Sequence, residues 1–249
     1  NETGNIAYIA GKNTLYIFNL ENPENPVLLS ELKGIGSGRQ IEVQNGIAYI
    51  TSRADGLFIC DVKDPEHPSI VVHYDTIELA TGVWASGNLC FVSCRHLGVE
   101  IIDISDPYNP VHLSNVLAGE VQSVFAENNY MYAGAWMQKE VVIFDISDPK
   151  NPVKLSSCLL DGFGDGVYVR DNICFAATGH HSRKFINRTK YAKYDFVTAE
   201  MLNDGYGAGH GIEMFDISDR RNPKFISRIK TPPLFMGGND MWDVIVSGN

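Results

Sequence analysis

The chain has 249 residues, 44% of them apolar and 20% charged, and a formal net charge of −10. That charge argues against a general nucleic-acid binder, because phosphate contacts need a basic surface that releases counterions. No run approaches the roughly 20 apolar residues that span a bilayer, and the length suffices for one large all-β domain.

The first strand-like run, 5–10, carries Tyr8, and the next, 15–20, leads into Asn19-Leu20-Glu21-Asn22-Pro23-Glu24-Asn25-Pro26. That turn returns as Asp61-Val62-Lys63-Asp64-Pro65-Glu66-His67-Pro68, Asp103-Ile104-Ser105-Asp106-Pro107-Tyr108-Asn109-Pro110, Asp145-Ile146-Ser147-Asp148-Pro149-Lys150-Asn151-Pro152 and Asp216-Ile217-Ser218-Asp219-Arg220-Arg221-Asn222-Pro223. Its first residues stand at 19, 61, 103, 145 and 216, steps of 42, 42, 42 and 71, the last being one period plus 29 inserted residues. A fixed period in the low forties, built of short β-rich runs, predicts an all-β propeller with about four strands per blade. Within the turn, Asp and Ser side chains bond nearby backbone N–H groups, while Pro fixes φ and removes a ladder donor. The repeated aspartates therefore read as turn formers, not as catalytic or metal-binding carboxylates.

Each repeat divides alike. A run with an aromatic at a matched position (Tyr8, Tyr49, Phe91, Tyr132, Phe175) precedes the strand that enters the turn. Short turns such as Asn45-Gly46, Gly87-Asn88, Asn128-Asn129 and Asp171-Asn172 tolerate positive φ and suit a hairpin back to an inner strand. The inner strands are predicted at 39–43, 81–85, 122–126, 165–169 and 242–246, and the outer ones at 27–31, 69–74, 111–116, 153–158 and 224–229. The chain thus begins on an aromatic strand and ends on an inner one. The terminal strand is expected to pair with the N-terminal blade and close a five-bladed ring, which removes exposed sheet edges. The rival is a fragment of a larger propeller. One domain, 1–249, with an insertion at about 179–209, is expected. With neither an initiator Met nor a signal peptide, the chain reads as processed or cut from a longer one.

The five cysteines include no CxxC and are expected to be buried, reduced core residues. Asn1 and Asn187 open Asn-x-Thr sequons, which matter only in a glycosylating source.

The repeats resemble those of the LVIVD-repeat family, through Asp243-Val244-Ile245-Val246-Ser247-Gly248-Asn249 and the Gly-x-x-x-x-Asp-Ile-Ser-Asp-Pro-x-x-Pro stretch from Gly98 to Pro110. Nearly the whole chain outside the insertion shares the resemblance. It implies a β-propeller of the kind common in secreted or surface proteins of bacteria and archaea, hence an extracellular or cell-surface location. It implies no established activity, and no catalytic residue carries over. Asn19 in place of Asp, and Arg220 in place of the first Pro, are departures at turn positions.

In a propeller, the loops between second and third strands share a face with the crossovers into each inner strand, and such a face is where ligands bind. The hairpin tips supply Arg53, Arg95, His96, Trp136 and Lys139; the entrances supply Arg39, Glu78, Glu120, Asp161, Asp165, Asp240, Trp242 and Asp243. The insertion belongs to the same loop class and opens with a basic, aromatic stretch that includes His180, His181, Arg183, Tyr191 and Tyr194. It reads either as a flap over the funnel or as a loop packed for its own stability. His180, His181 and His210, at its feet, are the one set that could ligate a metal, although no fixed ligand motif accompanies them. No cofactor is expected, but a cation bound in the funnel is compatible with its acids. The leading expectation is a non-catalytic scaffold that binds a protein or glycan. The alternative is a carbohydrate-active enzyme using Asp165, Asp240 and Asp243.

Overall fold

The computed structural model describes residues 5–178, 211–230 and 241–247, and among them it contains nineteen strands and no helix. The strands follow one another in five antiparallel sheets. The first blade holds β1 (Ile6–Ala10), β2 (Lys12–Asn19) and β3 (Val27–Ser37). The second holds β4 (Gln40–Gln44), β5 (Ile47–Thr51), β6 (Leu57–Asp61) and β7 (Ser69–Tyr74). The third runs through β8 (Gly82–Ser86), β9 (Leu89–Ser93), β10 (Val99–Asp103) and β11 (Val111–Val116). The fourth contains β12 (Val121–Glu127), β13 (Tyr130–Ala135), β14 (Glu140–Asp145) and β15 (Val153–Leu159). The fifth contains β16 (Gly164–Arg170), β17 (Ile173–Thr178), β18 (Gly211–Asp216) and β19 (Lys224–Lys230). The inner strands β4, β8, β12 and β16 stand side by side, as in a five-bladed β-propeller.

The core lies between the blades. Leu15 and Ile17 of the first meet Ala48, Ile50 and Phe58 of the second; Tyr49 and Ile59 meet Val83 and Val92; Phe91 and Ile101 meet Val124 and Met131; Tyr132 and Ile143 meet Val167 and Cys174. The matched aromatics Tyr49, Phe91 and Tyr132 are buried in these layers, whereas Tyr8 and Phe175 are half-buried. All five cysteines are buried and free, Cys94 lying just past the end of β9.

The repeated turn behaves as its chemistry dictates. In every copy the first side chain accepts the N–H two residues on: Asn19 from Glu21, Asp61 from Lys63, Asp103 from Ser105, Asp145 from Ser147 and Asp216 from Ser218, at 2.7–3.0 Å. The fourth residue repeats the pattern, from Asn22 to Asp219. The carboxyls of Asp145, Asp148 and Asp219 are held below the usual range by the side chains of Ser147, Asn151 and Asn222 and then by these amides, and those of Asp103 and Asp216 by the amides first. Neighbouring blades are also stitched at the turns. Ser30, Ser114 and Ser156 on outer strands donate to the carbonyls of Pro65, Pro149 and Arg220 in the following blade's turn, at 2.5–2.6 Å.

One element departs from expectation. The first sheet has three strands, and residues 242–247 form no strand beside β1. The start of that segment nevertheless reaches both neighbouring inner strands: a Cβ on Gly166 of β16 would strike Asp243, and the Asp243 carboxylate meets the Gln40 amide of β4 at 3.5 Å. The Val244 N–H is taken by the side chain of Asp243 at 2.8 Å, a local bond that competes with ladder pairing.

Candidate functional site

Three hairpin tips set the geometry of the loop face. Arg53, Arg95 and Lys139 adopt φ of 47°, 36° and 55°, a left-handed conformation that non-glycine residues seldom take without tertiary support. That support is the crossover into the next blade. Arg53 exchanges two backbone bonds with Ala80, the Arg95 carbonyl accepts from the Val121 N–H, and the Lys139 carbonyl accepts from the Leu160 N–H, all at 2.8–3.0 Å. Each tip therefore fixes the entrance to the following inner strand.

Buried carboxylates hold the same crossovers from beneath. Glu100, 1% exposed, accepts from the Ile77 N–H at 3.1 Å and the Tyr74 hydroxyl at 2.7 Å, and lies 2.9 Å from His112 Nδ1. Glu213 accepts from the Asp161 N–H at 2.7 Å and from Arg228 at 2.9 Å. Glu78, on the crossover that Glu100 anchors, accepts from the Leu97 N–H at 3.0 Å.

The entrances then converge. Arg39, Thr81, Gln122, Asp165 and Trp242 are equivalent by repeat, and Arg39 meets the others across the axis. Its Nε donates to the Thr81 carbonyl at 3.1 Å and its Nη2 to Gln122 Oε1 at 3.3 Å, while its guanidinium sits 5.7 Å from the Trp242 ring centre. Desolvation pulls the Arg39 pKa below its ordinary value; Asp165 opposes that, and the charges of Arg53 and Arg95 add to it. Gln122 continues the network to Glu120, 4% exposed, at 3.4 Å. Glu120 Oε1 takes two bonds from Arg95, at 3.1 and 2.6 Å, and His96 stands 4.0 Å from Oε2.

Two acids stand near Arg39, Asp165 through its charge and Asp243 through Gln40, the residue next to it. Asp165 is buried, and its carbonyl accepts from the Ser123 hydroxyl. Asp243 still reaches solvent, but desolvation and the charge of Asp165 raise its pKa. Away from the axis, Trp136 packs on Phe163 with centroids 5.1 Å apart, and Lys139 lies 5.2 Å over the same ring.

Of the residues predicted from sequence, Arg39, Arg95, His96, Asp165, Trp242 and Asp243 join one contact and charge network, with Arg53 near enough to act on Arg39 electrostatically. Trp136 belongs to a separate aromatic patch. Asp240, His180, His181, Arg183, Tyr191, Tyr194 and His210 lie outside the described residues. Among the described residues, no group of three or more His, Cys, Asp or Glu could hold a metal ion. Thr81, Gln122 and Gln40 were not foreseen. Their signal was the repeat register, which aligns Thr81 and Gln122 with Arg39.

Comparison with known proteins adds the following. Residues 3–33, 35–76, 79–117 and 118–159 match the LVIVD repeat. No curated protein matches the chain. Among solved structures, the chain is similar to the computationally designed Ika8 protein (TM-score 0.62, 13% identity, 98% of this chain and 63% of that one). It is also similar to a chain of the mitotic checkpoint complex (0.67, 11%, 92% and 64%). A candidate 6-phosphogluconolactonase from Bacteroides uniformis ATCC 8492 aligns as well (0.72, 9%, 93% and 70%). The chain spans less than two thirds of the first two, and at these identities the likeness is one of fold. No helix among the described residues is long and apolar enough to cross a membrane.

Proposed function

We propose, on the premise that this chain belongs to the LVIVD-repeat family, that it is a non-catalytic β-propeller scaffold, surface-exposed or secreted, that binds a glycan or protein on its loop face. The observation that carries this reading is the convergence of equivalent entrance residues on Arg39, beside a Trp242 that is 49% exposed. Polar side chains held by their neighbours beside a half-exposed aromatic residue are what a ligand site on the loop face would use. An insertion in the same loop class would add to the face. The test is a glycan array run beside a panel of chromogenic glycosides. Retention of array ligands, weakened by Trp242→Ala, with no glycoside turned over, is the expected result.

A second reading, a carbohydrate-active enzyme, draws on the electrostatic coupling of Asp165 and Asp243. Desolvation, with the charge of Asp165 behind it, raises the Asp243 carboxyl, and a carboxyl that holds its proton longer suits an acid role in glycoside cleavage. Turnover of any glycoside by the wild type, abolished by Asp165→Asn or Asp243→Asn, would establish this reading and exclude the first.

A further inference from the structure

We propose that His112 is a pH-dependent latch on the crossover into the third blade. While protonated it balances the buried Glu100 carboxylate that holds residues 75–79, and on losing its proton it loosens them. The device operates whether or not the loop face takes a glycan.

Two buried acids occupy one repeat position. Glu100 on β10 and Glu213 on β18 are 1% and 0% exposed. Each accepts a backbone N–H from the crossover that enters its own blade, Glu100 from Ile77 at 3.1 Å and Glu213 from Asp161 at 2.7 Å. Each also meets one basic side chain of its own outer strand. For Glu213 that is Arg228 of β19, 2.9 Å away, whose guanidinium stays charged across the physiological range. For Glu100 it is His112 of β11, with Nδ1 2.9 Å from Oε1. Equivalent carboxylates are thus balanced by a permanent cation in the fifth blade and by a titratable one in the third.

The other groups around Glu100 leave that role to His112. The Tyr74 hydroxyl of β7 and the Ile77 N–H donate as neutral groups, and the Cys94 thiol lies 3.9 Å away. Burial first, and then Glu100, keeps the Tyr74 hydroxyl and the Cys90 and Cys94 thiols protonated, the Cys94 thiol pushed up to about 12. Glu78, on the crossover, adds only negative charge. His73, beside Tyr74, turns to the other face of its sheet, where it stacks on Phe58 and meets the Asp55 carbonyl. Among the described residues no lysine or arginine pairs with Glu100. A carboxylate this far from water is costly unless a counter-charge compensates it. Protonated His112 supplies that charge from a side chain 46% exposed, which trades its proton directly with solvent. Neutral His112 keeps at most a hydrogen bond. The latch therefore holds while the imidazole carries its proton and weakens as pH rises through about 5 to 8, where histidine changes charge. Its effect reaches the loop face, because the crossover leads to Thr81, whose carbonyl accepts from Arg39.

Amide hydrogen exchange of the full chain, followed by NMR at about pH 5.5 and about pH 7.5 with intrinsic rates divided out, reads both crossovers at once. Protection of the Ile77 amide relative to the Asp161 amide, its equivalent under a permanent cation, is expected to fall about tenfold between the two. His112→Arg, which copies the fifth blade's arrangement, should abolish the fall and keep the high protection. His112→Gln, which keeps a donor but carries no charge, should abolish it at the low protection. A ratio that does not move with pH in the wild type overturns the latch. So does a fall that persists in His112→Arg, which would hand the dependence to another group such as His73 or Glu42. A His112→Gln protein that matches the wild type at the lower pH overturns it as well.

Discussion

At the scale of single residues, the loop face depends on polar groups that are themselves inaccessible to a ligand. Glu100 is almost wholly buried yet meets the Tyr74 hydroxyl, the Ile77 N–H, His112 and the Cys94 thiol. Removing it takes the acceptor from the half-buried Tyr74 hydroxyl and from the Ile77 N–H, and leaving such donors unpaired costs about 1–3 kcal/mol. Glu100→Ala is therefore expected to destabilise the protein by roughly 3 kcal/mol, with Glu100→Gln milder because it keeps an acceptor; urea unfolding measures both. Unchanged stability would mean that the crossover needs no anchor. Nothing local in the sequence marks Glu100 for this role. It sits in a strand, at the position that Phe58 and Val142 fill in other blades; only Glu213, in the fifth blade, repeats it, and that buried acid likewise holds a crossover, through the Asp161 N–H.

At the scale of elements, the repeated turns were legible from sequence because their physics is local. The Asx bonds span two residues, and the Pro positions forbid continuing the ladder. Strand order and blade number followed from their spacing. The tail was legible only in part: it was expected as an inner strand paired with the first blade, and it forms no strand there, although Asp243 lies against Gly166 of β16 and Gln40 of β4 and its side chain takes the Val244 N–H that a ladder would use. The convergence on Arg39 was hidden for a similar reason, since the side chains meet across blades and 83 residues separate Arg39 from Gln122. Blade-to-blade stitching makes a prediction at this scale. Ser114→Ala deletes one hydrogen bond to the next blade's turn and is expected to cost about 1 kcal/mol, read from the shift in urea midpoint. The second blade supplies an internal comparison, because Val72 occupies the equivalent place in β7. A Ser114→Ala protein as stable as wild type would show that apolar layers alone hold the blades in register.

At the scale of the whole molecule, five sheets share one axis, and the inner strands carry matched rows of side chains around it. One row packs Trp84 against Phe125, centroids 4.4 Å apart, and Phe125 against Tyr168 at 4.9 Å, with the rings tilted, and in β4 the same row holds Glu42. Burial there pushes the Glu42 carboxyl from 4.5 up to about 7. The fold thus prefers the neutral acid. Its stability contribution is complete below about pH 4.5 and is lost as pH rises through about 7. Glu42→Gln should flatten this part of the profile and raise the unfolding midpoint at pH 8 relative to wild type, as thermal scans across that range would show. The central claim is that the ligand enters on the axis at the loop face. Backbone hydrogen exchange with and without a glycan retained on the array tests it most directly. Protection is expected at the inner-strand entrances around Arg39, Thr81, Gln122 and Asp165; no change there, with protection instead among the Asp-Pro turns on the opposite face, would contradict it.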